Sequence, residues 1–580
     1  MWITRRNRYG RRYGRRGTHA RRTRGQTQRL VRVWTAGAVL LLALAAVFLL
    51  FRGGERPGFE RGDLLATVNS GGDVELYWPE SDVPSALYEV KYVCGETQGT
   101  RYCSQPSLRL SGLPAGEKLE LQVRAQANRK GFFGGSRRLD SWKTLRTELV
   151  LPEEPEIPAG AADLPSGGAL ALTYQETTPR LCVLEWNGTR CHHFEVRRRA
   201  GETWETIARL TPEEHMRYDL GRLGSGSYNR FQVAAVDGDG AELQAEEVSL
   251  WASVSPLYAT VWPIENMNFW ENPSGGVRLG SVPGGTALCV LAEEGNWFRV
   301  RYGEDYGWVD SRYCMIDLPE YVGDHCAYDI TNSYDSLFAV HGSPIREVTH
   351  QVLPGYEDVR LEDGTFLVPY LYPCAKKLLT AAQAAEADGL RLKIYEAFRP
   401  QRATRFSYDA TEKQLKDPAL TEAGGQVGMS LSKLMTDNGR FNLGSFLART
   451  ISSHNRGIAL DLTLEKIDGG EELEMQSVIH DLSWYSETYL NTLNAKLLEG
   501  YMKAVGMNGL SSEWWHFQDD DTRKAIGLNS SLEKGVSPEG WTQDDGGWRY
   551  RRAGGSFVRG TVLTVDGRTY TFDSEGYAAG

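Results

Sequence analysis

Along the chain, hydrophobic and polar positions fall into three kinds of pattern. Residues 33–51, VWTAGAVLLLALAAVFLLF, give nineteen positions without a charge. At 1.5 Å of rise per residue, a helix over them is roughly 28 Å long, close to the ~30 Å hydrocarbon core of a bilayer, so the run predicts a membrane-spanning helix. A cleaved signal peptide fits less well, because the one Ala-x-Ala, at Ala43 and Ala45, lies inside the run. In residues 63–150, and again in 164–254, apolar and polar positions alternate in short segments separated by Gly, Pro and Ser. Val74, Leu76 and Trp78 make one such face, Tyr88, Val90 and Tyr92 the next, and Leu119, Leu121 and Val123 a later one. Period two with turns at this spacing predicts two β-sandwiches, joined by the Pro-rich stretch 151–163.

The alternation continues through residues 256–317, where Phe298, Val300 and Tyr302 share one face of a predicted strand and Arg299 and Arg301 take the other. Past residue 318 the period changes. Residues 375–390, AKKLLTAAQAAEADGL, have helical spacing that stops near Gly389, and a strand follows over 392–395. Residues 318–527 are therefore predicted as an α+β domain. The tail, 535–580, repeats itself: Asp545-Gly546 recurs twenty-one positions later as Asp566-Gly567, with Gly555 answered by Gly576.

Length and composition narrow the function. A chain of 580 residues holds several domains, and 41% hydrophobic with 24% charged residues excludes one that is mostly disordered. The net charge of -10 conceals an asymmetry, since residues 1–32 contain twelve Arg and no acid. Basic residues stay on the cytoplasmic side of a membrane helix, so 1–32 reads as a cytoplasmic tail and everything past residue 51 as exterior. A short basic arm on an acidic body also argues against nucleic acid as a partner. All eight cysteines lie between Cys94 and Cys374, and the lack of any C-x-x-C excludes a zinc ribbon. In an exterior compartment the pairs Cys94/Cys103, Cys182/Cys191 and Cys289/Cys314 are candidate disulfides.

Two clusters carry the residue types of hydrolytic chemistry. In residues 452–464, SSHNRGIALDLTL, Ile458, Leu460, Leu462 and Leu464 point one way, while Gly457, Ala459, Asp461 and Thr463 point the other. Asp461 thus lies among small residues, with room beside its carboxylate. The second cluster is Glu513-Trp514-Trp515-His516-Phe517, whose Glu and His are three apart and need a turn-like backbone to reach one point. His454, Asp461 and His516 make three nitrogen and oxygen ligands, the complement of one catalytic zinc with an open fourth position. Glu513 is then free to act as general base.

These residues resemble the zinc D,D-peptidases, and most closely the D-alanyl-D-alanine dipeptidases of vancomycin resistance. The Ser-x-His-x-x-Gly-x-Ala-x-Asp pattern falls on Ser452, His454, Gly457, Ala459 and Asp461, and Glu-x-x-His on Glu513 and His516. The resemblance implies that Ser452 contacts substrate and that Arg399, in Tyr395-Glu-Ala-Phe-Arg399-Pro-Gln-Arg402, stabilises the oxyanion. It also implies an Asp that holds the free amino terminus of a dipeptide, where this chain has His480 followed by Asp481. Elsewhere, Trp78 and the turn Leu110-Ser-Gly-Leu-Pro114 resemble fibronectin type III modules, and at an offset of 110 residues Leu121, Val123 and Ala125 answer Phe231, Val233 and Ala235. Residues 256–317 resemble a bacterial SH3-like domain. Residues 535–580 are similar to cell-wall-binding repeats, which build ligand cages from aromatic rings.

The combined expectation is a multidomain protein: an α+β zinc peptidase domain, all-β accessory modules as stalk and targeting elements, and one N-terminal transmembrane helix. Its activity would be D,D-dipeptidase hydrolysis of D-Ala-D-Ala outside the cell membrane. The alternatives are a D,D-carboxypeptidase trimming peptidoglycan stem peptides and a non-catalytic protein that binds the cell wall.

Overall fold

The computed structural model describes residues 56–68, 73–83, 86–130, 136–141, 143–152, 169–213, 215–330, 336–340, 343–356, 361, 366–416 and 443–579. The expected membrane helix at 33–51, the basic tail and most of the 151–163 linker lie outside them. Among the described residues no helix is long and apolar enough to cross a membrane.

Both alternating regions fold as two-sheet sandwiches. In the first, strands Leu65–Val68, Val74–Tyr77 and Ser107–Leu110 face a sheet ordered Thr97–Cys103, Leu87–Cys94, Lys118–Lys130, Ser136–Asp140, with Leu145–Val150 also on Lys118–Lys130. Val74, Leu76, Trp78, Val90, Leu121 and Val123 close the core between the sheets. In the second, Leu172–Thr178, Leu181–Asn187 and His215–Arg222 face the strands His193–Ala200, Thr203–Leu210, Tyr228–Val236 and Glu242–Trp251. The offset of 110 is a structural equivalence, because Val90 lies opposite Val123 and Val196 opposite Val233.

The strands between Thr260 and Asp317 do not close off as a separate body. They form an eight-stranded sheet whose last member is Pro369–Leu371, where Met315 and Ile316 pair with Leu371 and Tyr370. One hydrophobic core therefore runs from Val261, Phe298 and Val300 into Ala375, Leu378, Leu460 and Leu462 of the α+β domain. That domain has a five-stranded sheet ordered Cys326–Tyr328, Leu390–Glu396, Ala459–Lys466, Glu513–Gln518, Asn508–Leu510. The helix predicted over 375–390 begins earlier, at Tyr372, where Pro373 suits the first turn, and ends at Ala387. Gly389 then takes φ +75° and turns the chain into Leu390–Glu396. Helix Leu493–Ala504 covers the same sheet, and helix Gln401–Lys416 joins Phe338, Val348 and Leu353 in a smaller core beside it.

At the C-terminus the repeated Asp-Gly occupies both two-residue turns, between Asp544 and Gly547 and between Val565 and Arg568. Asp566 and Gly567 both have positive φ, the requirement of a type I′ hairpin. The rings of these hairpins do not face solvent. Arg301, on the strand face opposite Phe298, Val300 and Tyr302, is buried with its guanidinium 4.0 Å from the Trp541 ring centroid and 5.1 Å from that of Trp548, and it donates to the Tyr570 hydroxyl at 2.8 Å. A desolvated cation–π contact contributes about 2 kcal/mol, so the chain's own arginine fills the aromatic cage. The first two modules are likewise held to these hairpins and are not free spacers. Arg109 N donates to Asp545 O at 2.9 Å, Ser104 Oγ to Gln543 Oε1 at 2.9 Å, and Arg222 pairs with Asp545 at 2.9 Å.

The expected disulfides are absent: all eight cysteines are buried and free. Strand register explains two of the three pairs. Cys94 lies opposite Thr97 at the turn end of its hairpin and Cys103 opposite Tyr88, six residues along the strand or roughly 20 Å away, against a Cα limit of about 7 Å. Cys289 and Cys314 flank the strand Thr260–Pro263 from its two sides, about 9.5 Å apart by strand spacing alone. Cys182 and Cys191 also remain separate thiols.

Candidate active site

Three neighbouring strands present one side chain each at the same level. Glu396 lies opposite Asp461, and Asp461 opposite His516, and directly opposed residues of antiparallel strands share a face. The apolar alternate positions of the middle strand, Leu460, Leu462 and Leu464, are fully buried in the core, which fixes the face Asp461 takes. Glu513 should point away from His516 by the period of a strand. A register break next to it, where Gly509 pairs with Phe517 but Leu510 with Glu513, instead brings Glu513 Oε2 to 3.7 Å from His516 Nδ1.

His454 comes from a short 3-10 turn, His454–Arg456, ended by Gly457 at φ +66°. A Cβ on Gly457 would meet Met315 Sδ at 2.8 Å, so only glycine lets the turn sit on the neighbouring strands. Asn455, missed in the sequence, is the brace of this turn: its Oδ1 accepts from Ser452 N at 2.7 Å, and its Nδ2 donates to Arg399 O at 2.7 Å and Thr404 Oγ1 at 2.8 Å. Ser452 lines the cavity, and its hydroxyl accepts from Asn455 N at 3.4 Å.

The inner atoms converge. His454 Nε2, His516 Nδ1 and Asp461 Oδ1 are 3.1 to 3.3 Å from one another. His454 Nδ1 lies 2.7 Å from Ala397 O, which can only accept, so the ring proton is there and Nε2 carries the lone pair. His516 Nε2 faces Gln518 Oε1 at 3.1 Å, which assigns its lone pair to Nδ1 in the same way. Two imidazole lone pairs and a carboxylate oxygen facing each other repel unless a cation lies between them. Tetrahedral zinc ligands at about 2.0–2.1 Å are about 3.3–3.4 Å apart, so the three atoms fit that ion, and the Ala397 and Gln518 oxygens are the outer partners such histidines need.

The electrostatics follow from burial and crowding. Burial opposes ionisation of Asp461, but His454 first, and His480 and His516 crowded against the same carboxyl, hold it well below the usual range. Burial pushes Glu513 up to about 8, against the pull of His516, as suits a group that takes and returns a proton. Arg399 is buried yet stays charged, because Glu396, which accepts from its Nε at 2.6 Å, outweighs the burial. Its Nη2 is 3.9 Å from Asp461 Oδ2. Glu396 in turn accepts from Tyr356 Oη at 3.2 Å. Glu396 escaped the sequence reading, although an acid three residues before Arg399 was its signal. A cavity of about 170 Å³ opens over the group, walled by Phe338, Phe446, Leu482, Leu510 and Trp515.

All six residues singled out in the sequence, Arg399, Ser452, His454, Asp461, Glu513 and His516, line this one cavity. Of the two residues at the expected amino-terminus position, His480 lines it too, while Asp481 accepts from Ser483 Oγ at 3.0 Å.

Two histidines, two carboxylates and an arginine so arranged are the equipment of a hydrolase that activates water. Residues 372–531 match the family model described as D-ala-D-ala dipeptidase. Over 176 residues it is 28% identical to the D-alanyl-D-alanine dipeptidase of Enterococcus faecium, covering 29% of this chain and 78% of that protein. Over 147 residues it is 29% identical to the D-alanyl-D-alanine dipeptidase of Escherichia coli, covering 24% of this chain and 61% of that one. A crystal structure of a mutant of the vancomycin-resistance D,D-pentapeptidase VanY, in complex with Zn(II), aligns at 17% identity with a TM-score of 0.17, over 30% of this chain and 85% of that one.

Proposed function

We propose that this protein is a zinc D,D-peptidase that hydrolyses D-Ala-D-Ala ends outside the cell membrane, anchored by residues 33–51 with residues 1–32 in the cytoplasm. The observation that carries the reading is the 3.1 to 3.3 Å triangle of His454, Asp461 and His516 with Glu513 beside it. Zinc held by those three residues supplies Lewis-acid activation of a water and of the scissile carbonyl. Glu513 takes a proton from the attacking water as the new carbon–oxygen bond forms, and returns it to the amine nitrogen as the carbon–nitrogen bond breaks. Arg399, pinned by Glu396, offers a fixed cation to the oxyanion and needs no reorganisation as charge develops. The segment 256–317, read as SH3-like, and the C-terminal hairpins belong in this reading to the wall-facing side.

The full chain loaded with zinc is expected to release D-Ala from D-Ala-D-Ala or from a pentapeptide stem, as detected by mass spectrometry, and to stop when a chelator is added. Zinc-replete protein that cleaves neither substrate overturns the peptidase reading and leaves a non-catalytic wall-binding role. The topology has its own check. Protease added to intact cells should digest the region after Phe51 and spare the tail, and protection of Glu513-containing peptides in cells whose other exterior proteins are digested rejects the outward orientation.

A further inference from the structure

Residues 532–537 lead from the peptidase domain to the C-terminal hairpins, past the end of the family match at residue 531. Their backbone is irregular, yet it runs beside the turn that follows Arg399 and bonds to it. Leu532 O accepts from Gln401 N at 2.9 Å, and Glu533 O accepts from Arg402 N at 3.2 Å. Gln401 opens the helix Gln401–Lys416, and the first N–H groups of a helix have no partner within it. Here the joining segment supplies two such partners.

A second contact reaches Arg399 through its neighbours. Gly535 packs on Gly355 so closely that an added Cβ would overlap Gly355 O, and a Cβ on Gly355 would in turn lie 2.7 Å from Pro400 Cβ. Next to Gly355, the buried Tyr356 shares its hydroxyl proton between Phe398 O at 2.8 Å and Glu396 Oε1 at 3.2 Å. Glu396 is the carboxylate that pins the guanidinium. Both routes therefore end on Arg399, one through the backbone at Pro400 and one through its ion-pair partner.

The same segment is fastened to the strands of residues 256–317. Leu532 packs against Gly284, where a Cβ would lie 3.0 Å from Leu532 Cδ2, Ser537 N donates to Gly285 O at 2.9 Å, and the indole of the buried Trp262 donates to Ser537 O at 2.7 Å. The segment is thus tied both to the eight-stranded sheet and to the turn at Pro400. Arg399 depends on such placement, because an oxyanion is stabilised by a cation already in position and a shift of about 1 Å costs up to about 10²-fold.

Resting on the D,D-peptidase reading, we propose that residues 532–535 are a positioning strap for Arg399, and that through it the accessory β-modules are part of what makes the site competent.

The test is Gly535→Ala in the zinc-loaded full chain, assayed on whichever of D-Ala-D-Ala and a pentapeptide stem the wild type cleaves faster. Turnover should fall about tenfold while KM and zinc content stay at their wild-type values. Amide hydrogen exchange should speed up at Gln401 and Arg402 but not in the core strand Ala459–Lys466. In an Arg399→Ala background the same substitution should change turnover by less than about twofold, because the two residues act as one unit. General structural damage would lower turnover by the same factor in both backgrounds and so overturn the inference, as would a folded Gly535→Ala protein with wild-type turnover; either result leaves the peptidase reading intact. If Gly535→Ala does not fold, Leu532→Ala, which loosens the strap at Gly284, takes its place with the same expectations. Wild-type protein that cleaves neither substrate removes the peptidase reading and this inference with it.

Discussion

Glu513→Gln should retain zinc and lose about 10²- to 10⁴-fold in turnover, the usual contribution of a general acid–base group. The substitution is nearly isosteric, and Glu513 lies outside the triangle of His454 Nε2, His516 Nδ1 and Asp461 Oδ1. An amide cannot take the proton of water, so the loss falls on kcat while KM stays near the wild-type value. Removing a buried carboxyl already pushed up to about 8 also relieves the protein of a poorly solvated acid, so its melting temperature should not fall. Metal analysis beside steady-state kinetics decides the role. A zinc-replete Glu513→Gln protein with wild-type turnover eliminates Glu513 as the base, and one that has lost its zinc makes Glu513 a ligand.

The parts of this site that could be read in the sequence are those where local periodicity and side-chain direction coincide. Asp461 was legible because Leu460, Leu462 and Leu464 must all face the core, which leaves only the other face for the carboxylate. The Glu513 and His516 pair announced its residue types but not its geometry, since the register break opposite Leu510 is a property of two strands together. Arg399 was visible only through family resemblance. Its partner Glu396 reaches the site because Leu390–Glu396 pairs with Ala459–Lys466 across more than sixty residues of chain. The disulfide expectation failed for a similar reason. Nine residues between cysteines is a short distance along the sequence, but once a hairpin forms the same nine residues can separate its two ends. Arg301 shows the limit of alternation: its face was identified, but the cover over that face comes from Trp541, Trp548 and Tyr570, some 240 residues or more along the chain.

His454→Ala should lose zinc and activity together, a larger defect than any change at the base, because the two remaining ligands hold zinc poorly. The outer hydrogen bond sharpens the expectation. Without the imidazole, Ala397 O loses the proton it accepts at 2.7 Å inside the domain, and an unsatisfied buried acceptor costs about 1–3 kcal/mol. A modest fall in thermal stability should therefore accompany the loss of metal, and added zinc should not restore turnover at concentrations that saturate the wild-type protein. His516→Ala should behave alike, since Gln518 Oε1 loses the corresponding donor at 3.1 Å. Asp461 would then be left with His480 and Arg399 on Oδ2 and only one of the two histidines on Oδ1, an ion-paired carboxylate and no longer one corner of a metal site. Zinc content, melting temperature and rate measured on the same samples separate these effects. A His454→Ala protein that keeps both a full zinc equivalent and its turnover would show that the metal sits elsewhere, and the convergence of the three inner atoms would need another cause.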